Sequence, residues 1–398
     1  MARSRSAGPF DGPRPARKRA RPPDSERRKA MRSTFIPSVL VVFLGISCLP
    51  SWAGAADKTS EGMLRPIQFI DAAGRSVQLD APPRRIIVIG RGPHLILHLL
   101  YMFPEGRERL AGMEKRGKSA SDFLDLIDPA FKGKKSLGVS PGPEAIAALQ
   151  PDLVLIKGSS TERMSDALAK IGIPVAYFSL ETPDEFYRDV ANAGMILGNS
   201  TRAGEITAFF RARIERIQKA LAGLAEEKKP RVLLVMATAR GGTYAVQLPA
   251  AGWMQTFQVR TAGGAPVWLD AVKKTSGWTI VNLEQIARWN PDKIFVVVWY
   301  SIDPQKMIDS FKADPQWRAL KAVKDGELWA FPSDIFGWDS PDPRWILGLT
   351  WLAGRIHPGA FKDTDMSGEI REFYLQLFKL DRNSVDSLIL PKVRLDVR

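Results

Sequence analysis

One pattern occurs twice in this chain and restricts its fold more than any other. Glu144-Ala-Ile-Ala-Ala-Leu-Gln-Pro151-Asp152-Leu-Val-Leu-Ile is matched by Glu284-Gln-Ile-Ala-Arg-Trp-Asn-Pro291-Asp292-Lys-Ile-Phe-Val-Val, with Glu, Ile, Ala, Pro and Asp in register. Each copy reads as a short helix stopped by proline, a turn that the aspartate can satisfy, and a buried strand. Two copies of one helix–turn–strand unit predict two lobes of like construction. The length, 398 residues, suffices for both.

The flanking segments agree. Arg85–Gly90, Leu153–Ile156 and Val175–Phe178 are continuous apolar runs, with a helical pattern over Pro93–Met102. Such runs between helices indicate a parallel sheet covered on both faces, an α/β architecture. From Thr182 to Lys229 there is no strand signal. Within it, Ile206, Phe209, Phe210, Ile214, Ile217, Leu221 and Leu224 recur at helical spacing, which predicts a long amphipathic helix over 203–225. Asn199-Ser200 suits its start and Pro230 its end. Strand patterns resume at Arg231–Met236 and Ile294–Tyr300. The expected organisation is an N-terminal α/β lobe over 56–181, a helical linker over 182–229 and a C-terminal α/β lobe over 230–398, with mostly parallel sheets and a ligand cleft between the lobes.

The formal net charge of +14 misleads if read whole, because residues 1–32 hold eleven Lys/Arg against three acids. The remainder carries about +6, which removes most of the case for a nucleic-acid partner. Phe35–Leu49 is almost wholly apolar and is followed by Ala53-Gly54-Ala55. A basic head, a short apolar core and an A-x-A site read as a secretory signal over 31–55, cleaved near Ala55, with 1–30 a basic leader or an over-long gene start. The apolar run is short for a membrane span. The only cysteine, Cys48, lies in that segment. Lipidation there is disfavoured, because Gly45 stands where a lipoprotein signal wants a large aliphatic residue. A mature chain without cysteine has no disulfide, thiolate metal site or cysteine nucleophile.

Gly112-Met-Glu-Lys-Arg-Gly117-Lys118-Ser119 matches the phosphate-loop pattern in full. That pattern works only after a buried strand, and Arg107–Ala111 is a weak one. A nucleotide-binding enzyme is therefore the disfavoured rival reading. His94 and His98 share a helix face, but neither has the adjacent Glu of an H-E-x-x-H metal site. His98 reads as a packed core or linker-facing histidine and His94 as a ligand-contact candidate. No catalytic constellation appears. Ligands of parallel α/β sheets bind beyond the carboxyl ends of the strands. In the first lobe those loops hold Arg91, Lys115, Arg116, Lys118 and Lys157; in the second they hold Tyr244, Trp253, Trp278, Trp299, Tyr300, Phe336 and Trp338. A basic wall facing an aromatic wall suits a bulky anionic ligand. The chosen contacts are Arg91, His94, Arg116, Lys157, Tyr244, Trp299, Tyr300 and Trp338.

The chain resembles the periplasmic binding proteins of the iron-siderophore, haem and cobalamin importers. The resemblance runs from about Ile67 to Leu380. It is carried by Phe69-Ile-Asp-Ala-Ala-Gly74-Arg-Ser-Val, Pro82-Pro-Arg-Arg85-Ile-Ile-Val, the Pro143–Ile156 unit, Trp338-Asp-Ser-Pro341-Asp-Pro343-Arg344 with Leu347-Gly-Leu, and Glu372-Phe373-Tyr374. It implies two lobes joined by one rigid helix and a small closing motion. It also implies that Glu144 and Glu284 dock onto an ABC permease dimer that works with ATPase subunits. The implied protein is periplasmic, monomeric and not an enzyme. It needs no cofactor or resident metal and captures a metal complex: a ferric siderophore or similar chelate, with cobalamin and haem as alternatives.

Overall fold

The computed structural model describes residues 66–115, 119–158, 162–240, 243–298 and 302–398. The expected leader and signal over 1–55, and the candidates Arg116, Trp299 and Tyr300, lie outside the described residues. Gly62–Arg398 forms one compact unit.

An antiparallel hairpin, β1 (Ile67–Ile70) and β2 (Ser76–Leu79), opens the fold. Asp71 closes its turn by accepting the Ala73 and Arg75 amides, and it also accepts the Tyr177 amide, which fastens the hairpin to the first sheet. That sheet contains β3 (Ile86–Gly90), β4 (Leu110–Met113), β5 (Lys135–Ser136), β6 (Leu153–Lys157) and β7 (Val175–Phe178). Its order is β5-β4-β3-β6-β7 and every pairing is parallel. Successive side chains of β3 enter different clusters: Ile86 and Val88 join the large core, and Ile87 and Ile89 join a smaller one with Ile146, Val154 and Ile156. This is the two-faced burial that the continuous apolar runs require.

The second sheet contains β8 (Arg231–Arg240), β9 (Thr243–Leu248), β10 (Ala265–Pro266), β11 (Thr279–Val281), β12 (Lys293–Val298) and β13 (Leu328–Ala330). Its order is β11-β9-β8-β12-β13, with β10 beside β8. It is mixed: β8, β10, β12 and β13 run parallel, whereas β9 and β11 run antiparallel to their neighbours. Only two residues separate β8 from β9, and a connection that short permits only a hairpin return.

The segment between the sheets is helical in two pieces. Pro183–Leu197 starts with a capping box between Thr182 and Glu185. Ser200–Ala220 is the long helix, about 31 Å at 1.5 Å per residue. Asn199 caps it by accepting the Arg202 amide. It starts earlier than the apolar repeat suggests, at the Asn199 cap, and ends earlier, ahead of Gly223 at φ +85°. Phe210 packs 4.7 Å from Phe186 and 5.0 Å from Trp345, which heads the helix Trp345–Ile356 of the second lobe. Arg202 donates to the carbonyl of Met102 in the first lobe and to those of Gln376 and Leu377 at the end of the helix Met366–Leu377.

The sequence repeat is also a repeat of structure. Pro143–Ala147 and Leu283–Trp289 are the two short helices, with Glu144 and Glu284 exposed at their second positions. Each helix is left through a residue at positive φ, Gln150 at 48° and Asn290 at 42°. Asp152 and Asp292 then accept the backbone amides of Arg85 and Arg231 at 2.9 Å.

Candidate functional site

At the carboxyl edge of the first sheet, β3 and β6 end side by side, with Gly90 paired to Lys157. Gly90 has φ +104°, and a Cβ there would lie 2.7 Å from the Lys157 carbonyl oxygen, so no larger residue fits. The Gly90 amide donates to Glu114 Oε2 at 2.8 Å, and Ser140 donates its amide to Glu114 Oε1 at 2.9 Å. Buried Glu114 thus ties together the loops that follow β3, β4 and β5.

Arg91 is exposed at this edge. Gly92 and Pro93 then start the helix Pro93–Leu100, which sets half-buried His94 in its first turn. The His94 ring lies 4.7 Å from Phe336 of the second lobe and 6.0 Å from His98. Burial, followed by the nearby His98, lowers the His94 pKa to about 3, with Lys157 and Arg344 adding to the effect. His94 is therefore a neutral imidazole at any physiological pH.

Behind His94 the lobes meet through a buried polar cluster. His98 Nδ1 contacts Asp342. Arg344 Nη1 donates to Asp342 Oδ1 at 2.8 Å, and its Nε lies 3.0 Å from Asp334 Oδ1 and 2.9 Å from the Tyr374 hydroxyl. The Tyr374 hydroxyl donates to Asp334, and the Arg344 guanidinium stacks 4.0 Å above Phe123 of the first lobe. Burial would raise the Asp342 carboxyl, but Arg344 and His98 outweigh it and hold the group well below the usual range. His98 Nε2 and Arg344 Nη2 are buried without a hydrogen-bond partner among the described residues. Nearby Asp339 is raised to about 6 by burial, with Gln255 as a distant partner at 3.4 Å.

The expected contacts divide. Arg91, His94 and Lys157 come together at the edge of the first sheet. Lys157, however, is buried and paired with Glu181, so the basic wall is partly neutralised from within. Tyr244 is exposed beside Phe311, with 5.7 Å between ring centroids, and is not part of this group. Trp338 is fully buried, and its Nε1 donates to Asp334 at 3.1 Å; its ring supports the loop and presents no face to a ligand. Phe336, two residues earlier, faces His94 instead. His98 is packed in the core, as its apolar neighbours suggest. Glu181 and the Asp334–Asp342–Arg344 cluster have no counterpart among the expected contacts; the Asp-Ser-Pro-Asp-Pro-Arg run is a local signal for Asp342 and Arg344 only. No group of three His, Cys, Asp or Glu side chains among the described residues is placed to hold a metal ion.

The phosphate-loop match, disfavoured from the sequence, overlaps a strand of the first sheet. A buried strand stands where the sequence reads a weak one, since Leu110–Met113 is β4, but it contains the first two residues of the match. Gly112 belongs to that strand, paired with Ile87 and Lys135, and a Cβ on it would lie 2.8 Å from Leu149. Gly112 is thus packed inside the sheet, and residues 116–118 of the match lie outside the described residues.

Residues 131–335 match the family model described as periplasmic binding protein. The molybdate-binding protein MolA of Haemophilus influenzae is 24% identical over 257 residues, 59% of this chain and 69% of that protein. The Fe(3+)-citrate-binding protein YfmC of Bacillus subtilis is 23% identical over 67% of this chain and 78% of its own length. Among solved structures, MolA bound to molybdate superposes with a TM-score of 0.64 at 19% identity, covering 79% of this chain and 98% of that one. Helicobacter pylori CeuE with Ni(II) bound gives 0.63 at 19% identity, covering 81% and 99%.

Proposed function

The chain belongs to the periplasmic binding protein family, a family of solute-binding proteins and not of enzymes, and from that premise we propose that it captures a small metal complex between its lobes and delivers it to an ABC permease. The observation that carries this reading is the His94–Phe336 pair, a neutral imidazole and an aromatic face set 4.7 Å apart on different lobes. The two rings touch, so a ligand enters this seam by parting them and then contacts both lobes, which links its binding to the relative position of the lobes. Arg91 at the rim and Lys157 at the floor favour an anionic complex, with a ferric chelate as the leading ligand. Among the relatives, the named ligands of MolA and YfmC are both metal-containing anions, and the MolA match makes molybdate the second reading. Glu144 and Glu284 stand exposed at equivalent places on the two lobes, which suits two equivalent sockets on a two-fold permease. Export is proposed to remove the segment through Ala55.

The experiment is a fluorescence titration of the mature protein with ferric citrate, a ferric siderophore, molybdate, cobalamin and haem. Trp253 and Trp278, in contact at 5.6 Å, are among the reporters. Saturable quenching by one metal complex is expected; no response to any of them overturns the reading.

A further inference from the structure

The buried cation at the carboxyl edge of the first sheet already has a partner. Lys157 Nζ lies 2.5 Å from Glu181 Oε1, with the lysine side chain 5% exposed and the glutamate side chain 35% exposed. Lys157 is fixed by its place at the end of β6. Glu181 is held from behind: its carbonyl accepts the Met254 amide of the second lobe at 2.9 Å, and the next residue, Thr182, caps the helix Pro183–Leu197. The backbone on both sides is thus anchored, while the Glu181 carboxylate is the solvent-facing member of the pair. A buried ammonium keeps its charge only beside an anion. A carboxylate or oxyanion arriving from the cleft replaces Glu181 without leaving Lys157 bare, and the released Glu181 side chain has water to enter. Lys157 pairs in register with Gly90, and the chain runs from Gly90 through Arg91 and Gly92 into the helix that carries His94, so the pair and the ring that faces Phe336 stand at the same edge of the sheet.

We propose that Lys157 forms an anion subsite at the cleft floor, filled in the free protein by the chain's own Glu181 carboxylate. Glu181 thereby sets selectivity: a ligand takes this place only if its anionic oxygens outcompete an internal carboxylate. The inference rests on the cleft reading above and adds to it the chemical class of the ligand group that reaches the floor.

The test compares wild type with Glu181→Gln and Glu181→Asp by calorimetric titration, with thermal melts to show which variants fold. The probes are molybdate, ferric citrate and the uncharged cyanocobalamin. Removing the competing charge in Glu181→Gln is expected to tighten molybdate and ferric citrate about tenfold, the scale of one charge-assisted hydrogen bond. Cyanocobalamin affinity is expected to be unchanged, and adding Lys157→Met is expected to cancel the gain. Glu181→Asp, which withdraws the carboxylate by one methylene, is expected to show a smaller gain of the same kind; either folded variant decides. If wild type binds an anion and the variants bind it no more tightly, the subsite is refuted while ligand capture stands. If wild type binds neither anion but Glu181→Gln binds one, the subsite is supported and the ligand assignment fails. If no form binds either anion, the subsite is overturned.

Discussion

Arg85 and Arg231 hold the same station in the two lobes. Each heads the strand beside its copy of the repeat, and each offers its backbone amide to the aspartate of that copy at 2.9 Å. Each guanidinium then turns back to a carbonyl at the end of the short helix, Leu149 for Arg85 and Trp289 for Arg231, at 2.7 Å in both cases. The repeated Pro-Asp is thus half of a clasp whose other half lies in a distant strand.

Asp152→Ala and Asp292→Ala are each expected to cost about 1–2 kcal/mol, because each strips the partner from strand-opening amides. Urea unfolding of the two variants measures this. Similar losses support equivalent clasps; a loss confined to one lobe refutes them.

Glu144→Ala and Glu284→Ala are expected to change stability by less than about 0.5 kcal/mol, since both side chains are exposed and the Glu284–Arg288 pair is a surface one. Ligand affinity is expected to be preserved and uptake in cells to fall, most in the double variant. Loss of affinity instead places these residues in the cleft.

His94 makes stability depend on pH in a definite sense. Its folded pKa of about 3 lies below the ordinary 6.5, so the unfolded chain takes up the proton first. Its contribution is complete above about pH 6.5 and is lost as pH falls toward 3. Thermal melts from pH 7 to pH 4 are expected to show a shallower decline for His94→Phe than for wild type, and weaker ligand binding by at least about tenfold at neutral pH.

Asp339 acts in the opposite direction. Its folded pKa of about 6 lies above the ordinary 3.8, so its ionisation destabilises the protein as pH rises from about 4 through 6. Asp339→Asn is expected to gain on the order of 2 kcal/mol over wild type at pH 8 and almost nothing at pH 4. Equal effects at both pH values contradict a buried, reluctant carboxylate.

Arg344→Met leaves Asp334 and Asp342 buried without their guanidinium. A loss of about 3–5 kcal/mol is expected in denaturant unfolding, the usual cost of removing one member of a buried ionic group. A loss below about 1 kcal/mol would show that the cluster is solvated.

The parallel sheet of the first lobe was legible because its strands are buried on both faces and read as unbroken apolar runs. The β8–β9 hairpin was not, because Arg231–Met236 looks the same whether its neighbour runs parallel or antiparallel. At the site, the end of β3 was legible from the Gly-Arg-Gly turn that carries the chain to His94. The burial of Trp338 was not legible: a loop rich in Gly and Pro marks where the chain turns, and not which of two nearby rings turns inward. Glu181 stood next to a helix cap and read as nothing more, because its pairing with Lys157 spans 24 residues and belongs to the fold.

The Arg202 side chain joins segments that are far apart in the chain. Its guanidinium reaches a carbonyl 100 residues before it and another 175 residues after it. During synthesis the first lobe therefore exists for a long time without the helix that completes its contact with the spine. Residues 366–377 complete that contact, and the two lobes are expected to unfold in a single cooperative step, seen as coincident transitions by fluorescence and circular dichroism.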